Sequence, residues 1–545
     1  VPTTLNLTPI VPVSGASPFL GNPCETNDPP PTLHLEFEPY LAVDPTNSNH
    51  LVGAWSQDLN RGIIAAVSFN GGNTWKSVVV PGISRCSGGE YPHVYHAWVS
   101  FAPNGDVYLS SLGQTDPADE YPNAVLVNKS IDGGVTWGLP TTIVASTKDF
   151  HSKESITADP NDPQFVYATW TRLRANTGLT MFSRTTDGGQ TWEPAREIFD
   201  PGSNNLSRAN QIVVLQDGTL VNIFAKILHK NDTAGVAHWD FELCLIRSLD
   251  QGQTWLPEKR CIPVADIVTL DDTQAVPVPN PDGGIKIHAL NWVFDVAVDP
   301  TNDNLYVVWQ DARFSNSQYN SIAFSMSSDG GFNWSVPIKI NQTPDNIPTR
   351  NRQAFLPSVA VNQDGDVAVT YYDLRNNTPD PGLRTDVWMV HAHPVDGLTN
   401  PVSWSDENRL TRDSFNMEVP APSPRGYFVG DYQGLVAMGT RFGALWAMPV
   451  GTDQGSIFFR DPLPAQSIVG TESHALHARR RDKKVASMQI VSAVRSARVT
   501  ELAPIVDRVI DGMRSHARAK RASFGRALDP TSYRVLDMLL AQQMT

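Results

Sequence analysis

The chain has 545 residues, 41% of them hydrophobic and 18% charged, with 14 Trp and 42 Pro, a composition that suits a folded protein of many short strands and turns. Residues 463–545 carry a net charge of +7 and the preceding 462 residues −21, so the body lacks the basic face that nucleic-acid binding requires. No apolar run approaches the ~20 residues of a membrane-spanning helix, so no membrane span is expected.

From the N-terminus, the chain begins at Val1 rather than Met, which suits a mature protein whose signal peptide has been removed. Residues 1–35 read as an arm, and 4–11 as a strand that could complete the last module. Cys24 and Cys86 would tie this arm to the end of the first module, and Cys244 and Cys261 flank a hairpin turn further on. Two such pairs favour an oxidising compartment, hence an extracellular or surface location. Sequons at Asn6, Asn128, Asn205, Asn231, Asn333, Asn341 and Asn376 agree with a secreted glycoprotein.

From residue 36 a module repeats. Its first strand ends in a turn, as in Leu41-Ala42-Val43-Asp44-Pro45, Val99-Ser100-Phe101-Ala102-Pro103, Ile156-Thr157-Ala158-Asp159-Pro160 and Val296-Ala297-Val298-Asp299-Pro300. A second strand follows, such as 51–55, 166–170, 305–309 or 367–371. A third leads into a boxed motif, and a fourth leaves it. The box occurs five times, as Ser68-Phe69-Asn70-Gly71-Gly72-Asn73-Thr74-Trp75, then from Ser130 to Trp137, Thr185 to Trp192, Ser248 to Trp255 and Ser327 to Trp334. The last module shows only three strands (435–439, 442–447 and 456–460). Residues 463–545 differ in kind, with helical spacing over 484–516 and 531–542 and breakers at Pro504 and Pro530. They read as a small basic helical extension, a candidate for docking a protein partner or for self-association.

Four strands per module without helical periodicity predict an all-β fold, a seven-bladed β-propeller over 36–462. The count falls to six if the arm or the last module stays outside the ring. In each box the carboxylate starts a tight turn and can accept backbone N–H bonds, the glycines permit positive φ, and the Trp is placed to pack on a neighbouring blade. Asn70 replaces Asp in the first copy, which a hydrogen-bonding role tolerates and acid–base chemistry would not. The boxes are therefore structural.

These five motifs resemble the Asp-box, or BNR repeat, of the sialidase-like propellers over roughly residues 30–460. That superfamily includes exo-sialidases, other glycan-active enzymes and non-catalytic propellers, so the resemblance suggests glycans without establishing catalysis. The Phe/Tyr-Arg-Ile-Pro segment that carries the first sialidase arginine is absent; Glu38-Pro39-Tyr40 stands in the comparable place.

Chemistry is expected on the face opposite the boxes. Second strands there end in Trp55-Ser56-Gln57-Asp58-Leu59-Asn60-Arg61, Trp309-Gln310-Asp311-Ala312-Arg313 and Tyr371-Tyr372-Asp373-Leu374-Arg375, with Trp170-Thr171-Arg172-Leu173-Arg174 as a variant. Arginine suits bidentate carboxylate recognition, so Arg61, Arg313, Arg375 and Arg172 are candidate substrate ligands, with His151 beside them. The alternative is that each Asp-x-Arg is a local ion pair stapling its own loop. Likeness to retaining sialidases would make Tyr432 the nucleophile, Glu38 or Glu154 its helper and Asp58 the acid.

The sequence thus leaves three functions open: an exo-glycosidase on anionic glycans, a non-catalytic carbohydrate- or protein-binding propeller, and a uronate-directed lyase or hydrolase using His96, His151 and Tyr432. No cofactor and no catalytic metal are expected. The His and Cys residues form no zinc spacing, and Asp-rich turns such as 299–303 are the only candidates for structural calcium.

Overall fold

The middle strands of each module are apolar on both faces, which an isolated half-exposed sheet would not tolerate and a sheet covered on both sides requires. The computed structural model describes residues 8–19, 24, 34–115, 123–231, 235–271, 273, 277–420, 422–423 and 425–462. The chain divides into two units, Val1–Ala465 and Gln466–Thr545. The helical extension expected over 463–545 lies outside the described residues, as does half of the predicted strand over 4–11.

The described residues form four-stranded antiparallel units in succession. The first is Glu36–Asp44, Asn47–Gln57, Gly62–Ser68 and Lys76–Val79; the second is His93–Phe101, Val107–Gln114, Asn123–Ser130 and Thr141–Ser146. The third and fourth have inner strands Phe150–Ala158 and Leu206–Val214 and are joined by one parallel bridge, Gly178 to Leu206. Phe294–Val298 and Ala354–Val361 lead the fifth and sixth. The last unit has Gly434–Met438, Arg441–Val450 and Asp453–Arg460, and its outer strand is Val11–Pro12 from the other end of the chain. Each unit's inner strand touches those of its two neighbours, and that of the last unit touches that of the first. This is a propeller, with the inner strands around a central channel. Covering by neighbours explains the apolar middle strands: Gly62–Ser68 is buried throughout, and Trp55, Trp170, Trp309 and Trp446 are among the largest fully buried side chains.

The boxes make the turns expected of them. Ser130 Oγ accepts Gly134 N at 2.8 Å, while Asp132 Oδ1 accepts Thr136 N at 2.8 Å and Oδ2 accepts Thr136 Oγ1 at 2.6 Å. Asn70, Asp187, Asp250 and Asp329 accept the corresponding backbone N–H. The second glycine does more. A Cβ at Gly134 would lie 2.5 Å from Val52 of the preceding unit, and one at Gly252 would lie 2.5 Å from Phe182. The first box follows the same rule across the chain ends, because a Cβ at Gly72 would overlap the ring of Phe459 in the last unit. Trp75 and Trp255 then pack edge-on against Phe459 and Phe182, centroids 5.4 Å apart in both pairs.

Both disulfides pair as the spacing suggested, Cys24 with Cys86 and Cys244 with Cys261. Two sequons are not surface acceptors. Asn128 and Asn341 are buried, and Asn128 Nδ2 donates to Pro81 O and Gly138 O. No described helix is long and apolar enough to cross a membrane.

Gly134→Ala should cost roughly 2–4 kcal/mol, from positive φ plus overlap with Val52. Gly105→Ala, with φ 87° and nothing within 4 Å of the added Cβ, is the control; it should cost only about 1 kcal/mol in urea unfolding. Equal losses would deny the inter-unit contact its role. The box aspartates Asp132, Asp187, Asp250 and Asp329 all titrate below the ordinary carboxylate range, Asp187 at about 2 and chiefly through its hydrogen bonds from Thr191. Their contribution to stability is therefore complete above the unfolded pKa of about 3.9 and is lost as pH falls through the lower folded values. Denaturation midpoints measured from pH 6 to pH 2 should fall in that window, and less steeply in Asp250→Asn.

Candidate functional site

Five inner strands break register at one level. The breaks lie between Phe37 and Tyr40, Tyr95 and Trp98, Ser152 and Ser155, Arg208 and Gln211, and Phe355 and Ser358. Each contains one non-glycine residue with positive φ: Glu38 (55°), His96 (58°), Lys153 (55°), Ala209 (53°) and Leu356 (55°). A bulge of this kind re-aims a side chain that strict alternation would send elsewhere, and holding non-glycine residues at positive φ costs conformational energy. In three consecutive units the re-aimed residue is ionisable.

Glu38, His96 and Lys153 meet. His96 Nδ1 lies 3.1 Å from Glu38 Oε2, and Lys153 Nζ lies 3.6 Å from Glu38 Oε1 and 3.5 Å from His96 Nδ1. Lys153 also makes a short ion pair with Asp431, which stands just before the last unit's inner strand, and His288 Nε2 lies 3.8 Å from the other Asp431 oxygen. Glu38 and Asp431 are 1% and 4% exposed. Burial pushes both carboxyls up, but His96 and Lys153 around Glu38, and Lys153 and His288 around Asp431, outweigh it, so both are held below their ordinary range.

Glu154 is placed next to this network and behaves oppositely. It is 2% exposed, neither carboxyl oxygen has a hydrogen-bond partner among the described residues, and burial holds it well above the ordinary carboxylate range. Tyr432 completes the group. Its hydroxyl is buried without a partner, and its ring meets Trp98 edge-on at 5.4 Å and the Lys153 ammonium at 5.7 Å. Burial, then the charges of Glu38, Glu154 and Asp431, raise its phenol well above normal.

Lys153, Glu154, Asp431 and Tyr432 line a small recess whose other walls include Asn210, Asp295 and Gln433. Tyr40 and Trp98, stacked with centroids 3.7 Å apart, line both this recess and the channel beyond it. Half-buried Arg208 immediately precedes Ala209 and Asn210 of the recess wall, and its guanidinium lies 5.7 Å from the Trp292 ring. Burial, then the nearby Arg425, push its pKa down to about 10, and no carboxylate lies within ion-pair distance of it among the described residues.

Of the residues singled out in the sequence, Tyr432, Glu38 and Glu154 are brought together; Asp58 is not. Its buried carboxylate accepts bonds from Ser17 Oγ, from His34 N at 2.9 Å and from Gln57 Nε2 at 3.0 Å, so it anchors the N-terminal arm. His151 is buried beside Trp170, whose Nε1 donates to its Nδ1 at 2.9 Å, and burial lowers its pKa to about 4.

Nor do the arginines converge. Arg313 pairs with its own Asp311 at 2.9 Å, and Arg375 with its own Asp373 at 2.9 Å, with Glu407 and with the Trp388 ring. Arg172 reaches Glu197 at 3.7 Å, and Arg61 is half-buried at the end of the first unit's second strand. Arg313 and Arg375 are loop staples, and none of the four lines the recess. The Asp299 turn likewise uses its own oxygens, accepting Thr301 N at 2.8 Å and Asn302 Nδ2 at 2.7 Å. His96, singled out for the uronate-directed reading, belongs to the network; Lys153, Asp431 and Arg208 stand at first-strand entries without an assigned role, and His288 was missed outright. Lys153 and Arg208 lie in or beside bulges, whose re-aimed side chains have no periodicity that could reveal their roles.

No family model and no curated protein matches the chain. Solved structures resemble it at low identity. One is a protein of unknown function from Dyadobacter fermentans, with a TM-score of 0.42, 12% identity, and 78% of this chain and 94% of that one covered. Another is a Hadza microbial sialidase, with a TM-score of 0.39, 16% identity, and coverage of 79% and 66%. A third is the GH93 α-L-arabinofuranosidase of Fusarium graminearum in complex with arabinobiose, with a TM-score of 0.43, 15% identity, and coverage of 72% and 99%.

Lys153→Met would leave Glu38 and Asp431 buried without the cation they share. It should cost roughly 3–5 kcal/mol at pH 7, and less at acidic pH, where the two carboxyls take up protons. Urea unfolding at pH 7 and pH 4.5 measures both effects.

Proposed function

We propose that this propeller is a glycoside hydrolase acting on anionic glycans at the face opposite its boxes. One observation carries the reading: Glu154, which burial holds toward its protonated form, lines one recess with Tyr432, while Glu38, held toward its ionised form, acts electrostatically on both. Two carboxyl groups driven apart in pKa by their surroundings are what acid and base roles require. Glu154 holds the proton to be donated to the glycosidic oxygen as the bond to the anomeric carbon breaks. Tyr432 is a phenol at rest, so its oxygen attacks only as its proton passes to a carboxylate, and Glu38 is the ionised neighbour that takes it. Water then releases the sugar, with Glu154 accepting the water proton and Glu38 returning its proton to Tyr432.

Arg208, a half-buried cation with no carboxylate within ion-pair distance among the described residues, supports an anionic sugar, whose carboxylate or sulfate would occupy the position that ion pairing leaves open. The two disulfides support work in an oxidising, extracellular setting.

A second reading is a non-catalytic binding propeller. Lys153 already neutralises Glu38 and Asp431, and so rigid a buried network can serve simply to close the channel.

The test is hydrolysis of aryl sialosides, aryl uronides and neutral aryl arabinofuranosides. Glu154→Gln keeps the shape and the neutral state of the resting acid, so it should fold normally and lose about 10²–10⁴-fold in kcat. Tyr432→Phe should be similarly inactive, and Arg208→Met should raise KM for the anionic substrates only. No turnover of any of them by the wild-type protein would overturn the enzyme reading, and retained binding to immobilised glycans would then favour the second one.

A further inference from the structure

The sixth unit has lost its box. In the boxed units the third strand ends in a hydroxyl residue, Ser68, Ser130, Thr185, Ser248 or Ser327, whose oxygen accepts the N–H four residues on. Here the third strand, Arg384–Ala392, ends in alanine, and His393-Pro394 follow where the boxes continue toward their carboxylate. Trp404 still fills the role of the box Trp, fully buried and 4.8 Å from Phe324 of the preceding unit. The turn between these points therefore needs another clamp.

Side chains at the same place supply one. His391, near the end of the third strand, and His393, one residue past it, come together, with ring centroids 5.4 Å apart and planes at 90°. Asp406, in the fourth strand, is the register partner of His391, with Oδ2 3.8 Å from His391 Nε2. One donor atom from each of the three residues lies within 4.8 Å of the others. Asp366 stands 2.7 Å from His393 Nδ1 and is itself held by Asn362 Nδ2 at 3.1 Å, the carboxylate–imidazole pairing that orients metal-binding histidines. His391 Nδ1 is buried with no hydrogen-bond partner among the described residues. Two imidazoles and a carboxylate suit a borderline transition ion over calcium or magnesium, and three protein ligands leave one tetrahedral position for water.

We propose that His391, His393 and Asp406 bind one Zn²⁺, with Asp366 as the orienting carboxylate, and that this ion clamps the turn that the missing box would otherwise hold. The site lies at the box end of its strand, opposite the recess, and its role is structural.

The test uses the full chain stripped with EDTA and titrated calorimetrically with ZnCl2, with CoCl2 as a visible-absorption probe of tetrahedral nitrogen and oxygen coordination. One equivalent of Zn²⁺ should bind and raise the melting midpoint, while MgCl2 and CaCl2 should do neither. His391→Ala/His393→Ala should abolish that equivalent, and Asp366→Asn should weaken it about 10–100-fold. Asp406→Asn changes a largely exposed side chain, so it should fold even if the histidine variants do not, and should also weaken binding. Unchanged stoichiometry and affinity in Asp406→Asn and the double variant, or no Zn²⁺ binding by the wild type at tens of micromolar, would overturn the proposal.

Discussion

The fold depends on a contact made by an atom that is absent. The second glycine of each box lies so close to a core side chain of the unit before it that a Cβ would overlap Val52, Phe182 or, at the chain ends, Phe459. A glycine there satisfies two demands together, a positive φ that closes the turn and a surface flat enough for the neighbouring sheet to approach. Because the contact always runs from one unit to its predecessor, each unit sets the height and angle of the next. The first box against Phe459 and Val11–Pro12 against the last sheet apply the same rule where the chain begins and ends.

A common height for the units gives the recess its chemistry. Bulges at equivalent points in adjoining inner strands place Glu38, His96 and Lys153 side by side, although 58 and 57 residues separate them along the chain. Their charges are then mutually dependent. Lys153 keeps Glu38 and Asp431 ionised in a setting that would otherwise protonate them, while Glu154, one residue further and without such a partner, stays neutral. Adjacent residues on one strand thus hold opposite electrostatic roles, decided by the charged partners each meets.

The features legible in the sequence were local ones. Box turns close within eight residues, strand alternation within six, and the Cys244–Cys261 pair spans one hairpin, so each is encoded where it acts. The expected arginine set shows the limit of that reasoning. Arg313 and Arg375 recur at equivalent positions, which suggested convergence, but the aspartate two residues before each is closer than any shared ligand could be. Asp58 was misplaced for a related reason: the arm residues Ser17 and His34 cover it, and nothing local announces that contact. The sequons at Asn128 and Asn341 fit the acceptor pattern, yet burial withdraws them.

By itself the sequence determined the strand inventory, the box turns and the hairpin disulfide Cys244–Cys261, because backbone hydrogen bonding and short-range alternation leave little choice once glycine, proline and apolar residues are in place. Tertiary structure alone decided which charges meet. Lys153 reaches Asp431 across 278 residues, and His391 faces Asp406 only through strand register. Charge–charge energies depend on distance and on exclusion of water, and both are set by how sheets stack around a channel rather than by spacing along the chain.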